Sequence, residues 1–297
     1  MKIIRPTTIT DSILISSSVA ENDYPEWSST TTYNAGDKVI VVADHKIYEA
    51  LKTTTNEPPS TNPLSWLNLG PTNRWAMFDD KVGTSTTATS SISVSLSAGI
   101  VTGIALLNLV DVVSVTIEMT TTDGVVYDET IDLYDPSNVS DWWSYFFEDI
   151  RIKSFALVLD LPTYRASTLD ITITGTTGQP VSVGTLVVGK LLQYADSVDY
   201  GASVGIQDYS RKDRDDFGNI TIVERAFNKR ARWNFRLLNS EVDVFQENLA
   251  LLRARPAVYI GNEGFNSLIV YGFYRDFDTV IAYPTHSECS IDLEGLV

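Results

Sequence analysis

The material for a nucleophile and its base is scarce: two histidines, His45 and His286, and one cysteine, Cys289, in 297 residues. A nucleophile is activated by a base within hydrogen-bond reach. His286 and Cys289 share the stretch "THSEC", three residues apart. On an extended strand that separation sends the two side chains to opposite faces. No nucleophile elbow surrounds them, so His286 reads as a strand-edge histidine and no Cys/His dyad is expected. Walker A, G-x-G-x-x-G, H-E-x-x-H and CxxC patterns are missing, which leaves nucleotide and zinc chemistry without a foothold.

Carboxylates are plentiful, and a glycosidase needs only two of them flanking a glycosidic bond. Asp79-Asp80, Asp215-Asp216 and the acidic central strands supply candidates. The same abundance is what solvated faces and turns produce. Asp123, Asp128 and Asp132, with Asp135 and Asp141, place hard oxygens near turns, the donor type that calcium takes, but without EF-hand spacing. They are weak calcium candidates, and no metal or other cofactor is expected.

The third chemistry is aromatic stacking. Trp27, Tyr33, Tyr48 and Trp66 bracket the stretch "YNAGDKVIVVADHKIYEAL", and flat rings of this kind capture the apolar face of a sugar. A module of about 45 residues also needs such side chains as core, since it has little else to bury. Both roles remain open at the level of sequence.

The elements that would position these residues read as mainly β. Residues 1–26 resemble an arm with one strand, "DSILISS". In 27–70, Tyr33 to Asp37 form a turn, with Lys38–Val42 and Lys46–Leu51 as short strands. Pro58, Pro59 and Pro63 then break regular structure. From 71 to 190, "SISVSLS", "GIVTGIALLNLV", "VVSVTIEMTT", "VVYDETIDLYD", "SFALVLDLP", "LDITITGT" and "VSVGTLVVGKLL" follow one another with turn signals between them. That pattern predicts an antiparallel β-sandwich or jelly roll. "PSNVSDWWSYFFEDI" is expected to cap one edge of it.

Residues 191–297 read as an α+β unit. Alternation along "GNITIVERAFNKRARWNFRLL" puts Trp233, Phe235 and Leu237 on one face. A helix is predicted next, capped by Ser240, with Val242, Phe245, Leu249 and Leu252 as its apolar stripe and Pro256 beyond its end.

Charge narrows the partners. The formal charge is −16, the wrong sign for neutralising phosphates, so no nucleic acid is expected. The distribution is uneven: residues 79–149 hold twelve Asp/Glu against one Lys, and residues 211–236 hold eight Lys/Arg. Opposite signs on one chain can steer copies together, and Arg211, Lys212, Arg214, Lys229, Arg230 and Arg232 are the candidate assembly contacts. One cysteine excludes an intrachain disulfide. The first residues are too polar for a signal peptide, and the longest apolar run, 99–110, is too short to span a bilayer. Synthesis in a cytoplasm and no membrane insertion are expected.

Two resemblances refine this reading. Trp27-x5-Tyr33-x2-Gly36-Asp37-x-Val39, then Tyr48-x-Ala50 and Trp66, resembles the small chitin/cellulose-binding modules of the type 5/12 carbohydrate-binding class. Members continue after Tyr-x-Ala with a further aromatic pair; here that place reads "LKTTT". The resemblance therefore implies the fold more than the ligand. More broadly, this module followed by "GPTNRWAMFDDKVGT", a galactose-binding-like sandwich ending in "VSVGTLVVGK", then "DYSRKDRDDFGNITIVERAFNKRARW" and "IDLEGL" is similar to a group of tailed-bacteriophage virion proteins.

That similarity implies a non-enzymatic structural component of the distal tail or baseplate. It would be assembled in several copies with other virion tail proteins, and would have four parts: an arm (1–26), the module (27–70), the sandwich (71–190) and a C-terminal assembly domain (191–297). An adhesin that holds host surface glycan through Trp27, Tyr33, Tyr48 and Trp66 is the alternative, and a glycan hydrolase the remote one.

Overall fold

Strand β1 (Lys2–Pro6) buries Ile3 and Ile4 almost completely. Five residues carry no readable period, so in sequence this segment reads as part of an arm. It is instead an interior strand: Lys2–Pro6 pairs antiparallel with 189–193 on one side, and Lys2–Ile4 with 258–260 on the other. The computed structural model describes residues 1–81, 83–135, 143, 151–195, 197–214 and 217–296. By its contacts the chain divides into two units: Met1–Thr7 with Val101–Ile104 and Val187–Val297, and Thr8–Ile100 with Ala105–Leu186.

The unit containing Thr8–Ile100 begins with β2 (Leu14–Ser17) and then builds the small module. Its strands are β3 (Thr32–Tyr33), β4 (Lys38–Val41), β5 (Lys46–Ala50), β6 (Thr54–Thr55) and β7 (Trp66–Pro71), arranged as a β3-β6 pair and a β4-β5-β7 sheet. Gly36 takes a left-handed φ of 92° in the turn before β4, where Asp37 Oδ2 accepts from Asn34 N at 2.7 Å. A residue with a Cβ would be strained there, which is why the Gly-Asp turn is legible in sequence.

The chain continues with β8 (Thr86–Thr89), β9 (Ser91–Leu96), β10 (Gly103–Val110), β11 (Val112–Thr121), β12 (Gly124–Asp132), β13 (Tyr134–Asp135), β14 (Arg151–Ile152), β15 (Phe155–Val158), β16 (Thr168–Gly175) and β17 (Pro180–Gln193), of which the start of β10 and the end of β17 belong to the other unit. One sheet runs β12-β11-β16-β9-β2; β15, β10 and β17 are neighbours in another, where β8 also pairs with β17. Alternation sets the register of the first sheet. Met119, Leu169 and Leu96 form one cross-strand row, Ile117, Ile171 and Val94 the next, and all six are buried. On its other face the hydroxyls of Ser93 and Thr172 meet at 3.3 Å, and those of Thr116 and Thr130 at 2.9 Å. Apolar on one face and hydroxylated on the other, these strands make the β-sandwich-like core expected from sequence. Most of the expected cap, "PSNVSDWWSYFFEDI", lies outside the described residues, as do Asp141, Asp215 and Asp216.

In the other unit the later part of β17 is followed by β18 (Ser203–Asp208), β19 (Arg211–Arg214), β20 (Ile220–Val223), β21 (Phe227–Leu238), the helix α1 (Val242–Leu252), β22 (Ala257–Ile260), β23 (Ile269–Val280) and β24 (His286–Gly295). The sheet order is β17-β1-β22-β23-β24-β21-β18, and β19 pairs with β20 as a separate hairpin. Trp233, Phe235 and Leu237 point together into a core closed by Phe245, Leu249 and Leu252 of α1. The Phe235 and Phe245 rings meet edge to face with centroids 5.5 Å apart. The apolar stripe is as the 3.6-residue period predicts. The cap is not: Glu241 precedes the helix, and no side chain caps its N-terminus.

Candidate functional site

The four aromatics proposed for sugar stacking are built into the module's core. Tyr33, Tyr48 and Trp66 are 8%, 5% and 2% exposed, and Trp27 packs against them, half-buried. Tyr33 and Trp66 meet edge to face at 5.3 Å. Trp66 Nε1 donates to the Glu57 carbonyl at 2.9 Å, and Tyr33 Oη accepts from Ser28 N at 2.8 Å. Burial also pushes the Tyr48 phenol up, with Asp44 adding to the effect. The ring faces of Tyr33, Tyr48 and Trp66 are therefore covered, and the polar tips of Tyr33 and Trp66 are bonded within the module, whereas the Trp27 indole N–H has no protein partner. All four residues thus take part in the packing of the small module.

The calcium candidates are not brought together. Asp123 sits at the turn between β11 and β12, whereas Asp128 and Asp132 lie on β12 four residues apart, about 13 Å along a strand. Among the described residues no three His, Cys, Asp or Glu side chains are grouped to hold a metal ion.

A cluster that the sequence did not reveal surrounds His45. A short 3₁₀ turn, Val42–Asp44, ends in His45 with a left-handed φ of 53°. This conformation turns the chain from β4 into β5, and histidine is one of the few non-glycine residues enriched in it. Nε2 lies 3.0 Å from Asp11 Oδ1 and Nδ1 lies 3.1 Å from Glu21 Oε1. Glu21 Oε1 also accepts from Thr72 Oγ1 at 2.8 Å. The ring lies flat on Trp75, centroids 3.9 Å apart.

Asp11, His45 and Trp75 border a cleft of about 550 Å³ that also takes in Lys46, Phe78, Asp79 and Lys81. Asp79 Oδ1 accepts from Thr84 Oγ1 and Lys81 N, while Oδ2 is buried without a protein partner. Burial is the main cause that raises this carboxyl above the usual range. Both imidazole nitrogens are engaged by carboxylates, so His45 ties together the segments that carry Asp11 and Glu21. At the other end of the chain, Cys289 is buried, with Sγ 3.4 Å from Thr279 Oγ1 and its thiol pushed up by burial. His286 points to the opposite face of β24, as strand geometry requires.

The basic candidates gather on one region of the C-terminal unit. Arg211, Lys212 and Arg214 lie on β19, and Lys229, Arg230 and Arg232 on β21, all exposed. Arg211 pairs with Asp213 at 2.6 Å, Lys212 with Asp208 at 2.9 Å and Arg232 with Asp292 at 3.3 Å. Hydrogen bonds from Ser210 and Lys212 hold the Asp208 carboxyl well below the usual range. A groove of about 900 Å³ runs here, lined by Gly205, Ile206, Arg230, Arg232 and Arg275 among others.

The hairpin itself is exposed on both faces: every residue of β19 and β20 faces solvent, Ile220, Ile222 and Val223 included. Beside it, β18 is an edge strand, paired on one side with β21. No family model and no curated protein matches the chain. Among the described residues, then, the strongest functional signal is a surface: a hairpin whose strand β20 exposes apolar side chains, and an open sheet edge on the same unit. Sequence singled out its charges but not Ile206, Ile220 or Ile222, whose alternation reads equally well as a buried strand.

Proposed function

We propose that this chain is a structural component of a bacteriophage tail or baseplate, in the distal tail region, that assembles as a multimer and displays a small carbohydrate-binding-like module. The observation that carries the assembly part is the hairpin β19-β20. A two-stranded hairpin is marginal by itself in water, and this one exposes the apolar residues of β20 to solvent. Burial against another chain would remove that apolar surface from water and hold the hairpin in place. The resemblance read from sequence, which runs from the small module through "GPTNRWAMFDDKVGT" to the closing "IDLEGL", suggests the tailed-phage setting. The module's aromatics serve as core, which favours an accessory displayed domain over an adhesin, and we read the chain as non-enzymatic.

The reading is tested on particles. Antibody-gold labelling of tailed virions should decorate the distal end of the tail, and the purified chain should form a homomultimer that survives moderate salt. Unlabelled particles together with a strictly monomeric chain would remove the basis for the proposal.

A further inference from the structure

Among the described residues β18 has no neighbour on its outer side, and its alternation is specific. Opposite Ala231 and Lys229 of β21 stand Val204 and Ile206. Residues directly opposite in an antiparallel pair share a face, and Ala231 belongs to the core cluster of this unit. Val204 and Ile206 therefore continue the core-side face of the sheet, yet Ile206 is 71% exposed. Phe227, opposite Asp208, extends the same face and is also exposed.

The hairpin offers the matching half. In its register Lys212 stands opposite Ile222 and Arg214 opposite Ile220, so Ile220 and Ile222 share one face with the aliphatic stems of two basic side chains. Thr221 and Val223 take the other face. Along β20 the apolar pair is spaced i, i+2, as are Val204 and Ile206 along β18.

We infer that β20 of one copy adds to the free edge of β18 in a second copy, so that Ile220 and Ile222 extend the apolar face begun by Val204 and Ile206. Main-chain hydrogen bonds supply the attachment and the shared period fixes the face, the usual logic of strand addition. The occupant is a second copy because one chain carries both complementary halves, each uncovered by the described residues of the single molecule. The contact is heterologous: hairpin to edge, not like to like. Such a contact repeats from copy to copy and closes into a ring or continues as a filament. This inference rests on the multimeric reading above and specifies its interface.

The test uses the full chain with Ile222→Asp, which damages only the hairpin, and Ile206→Asp, which damages only the edge. Both side chains are exposed, so circular dichroism and the melting temperature of the monomer should match the wild type. Sedimentation velocity should show a multimer for the wild type and at least about tenfold weaker self-association for each variant.

Mixing the two variants is the decisive arm. The intact hairpin of the Ile206→Asp chain meets the intact edge of the Ile222→Asp chain, so the mixture should stop at a one-to-one dimer. A wild-type multimer that neither substitution weakens, or variants that each lose the multimer but form no dimer on mixing, would overturn this interface and leave the multimeric reading standing. A wild type that stays monomeric across its soluble concentration range would overturn both.

Discussion

His45 lies flat on Trp75, ring centroids 3.9 Å apart and planes 20° from parallel, while Asp11 and Glu21 hold its two nitrogens. Residues 11, 21, 45 and 75 are thereby fixed to one another by a single side chain. Ala at 45 loses the stack and both polar contacts and must still occupy a left-handed backbone. We expect His45→Ala to cost about 2 kcal/mol in denaturant unfolding. Asn tolerates that backbone and keeps one carboxylate contact, so His45→Asn should cost less. Equal losses for the two would argue that the stack alone matters.

Trp66 gives the sharpest test of core against platform. It is nearly fully buried, touches Tyr33 edge to face and donates its indole N–H to Glu57. Trp66→Ala should destabilise the module by about 3–5 kcal/mol, the range for emptying a buried aromatic site. Limited proteolysis should then cut within 27–70 while the rest of the chain resists. A variant with unchanged protease resistance would mean that the ring is not part of the core.

The legible and illegible parts of the fold differ for physical reasons. The sandwich strands were readable because one face is apolar and the other hydroxylated, as in Ile92, Val94 and Leu96 against Ser91, Ser93 and Ser95. Helix α1 was readable because Phe245, Leu249 and Leu252 fall on one stripe. Strand β1 was not, because Ile3 and Ile4 are adjacent and both are buried; burial on both faces erases the period-two signal. Glu21 and His45 are 24 residues apart, and nothing local in either stretch announces their contact. The four aromatics were found by motif, but choosing between stacking and packing requires exposure, which sequence does not contain.

Asp79 should leave a signature in the pH dependence of stability. Burial raises its carboxyl in the folded protein above the ordinary value of 3.8. The folded state then binds the proton more tightly than the unfolded state. Its contribution to stability is greatest below 3.8 and declines as pH rises from there through the higher folded value. Asn keeps an acceptor for Thr84 and Lys81 without the titration. We expect Asp79→Asn to lessen the fall in melting temperature over that acidic window relative to wild type. Parallel pH profiles for the two proteins would rule Asp79 out as the source.

Strands β23 and β24 approach each other closely at Gly272. At Gly272 of β23 a methyl group would collide with the Glu294 carbonyl of β24, and would stand 2.6 Å from Gly295 Cα. Those atoms are backbone, paired in register with Gly272 opposite Gly295, so neither can rotate aside as a side chain would. Relief requires separating β23 from β24, and β24 carries Cys289, Ile291 and Leu293 into the core shared with Trp233. Gly272→Ala should therefore cost about 3 kcal/mol. It should also speed the reaction of the buried Cys289 thiol with a thiol reagent, because opening this sheet exposes it. Gly264, on a loop where a Cβ would meet only the Asn262 side-chain oxygen at 3.1 Å, is the control. Gly264→Ala should leave both unfolding and thiol reactivity near wild type, and a Gly272→Ala protein that behaves the same way would show that the two strands separate without penalty.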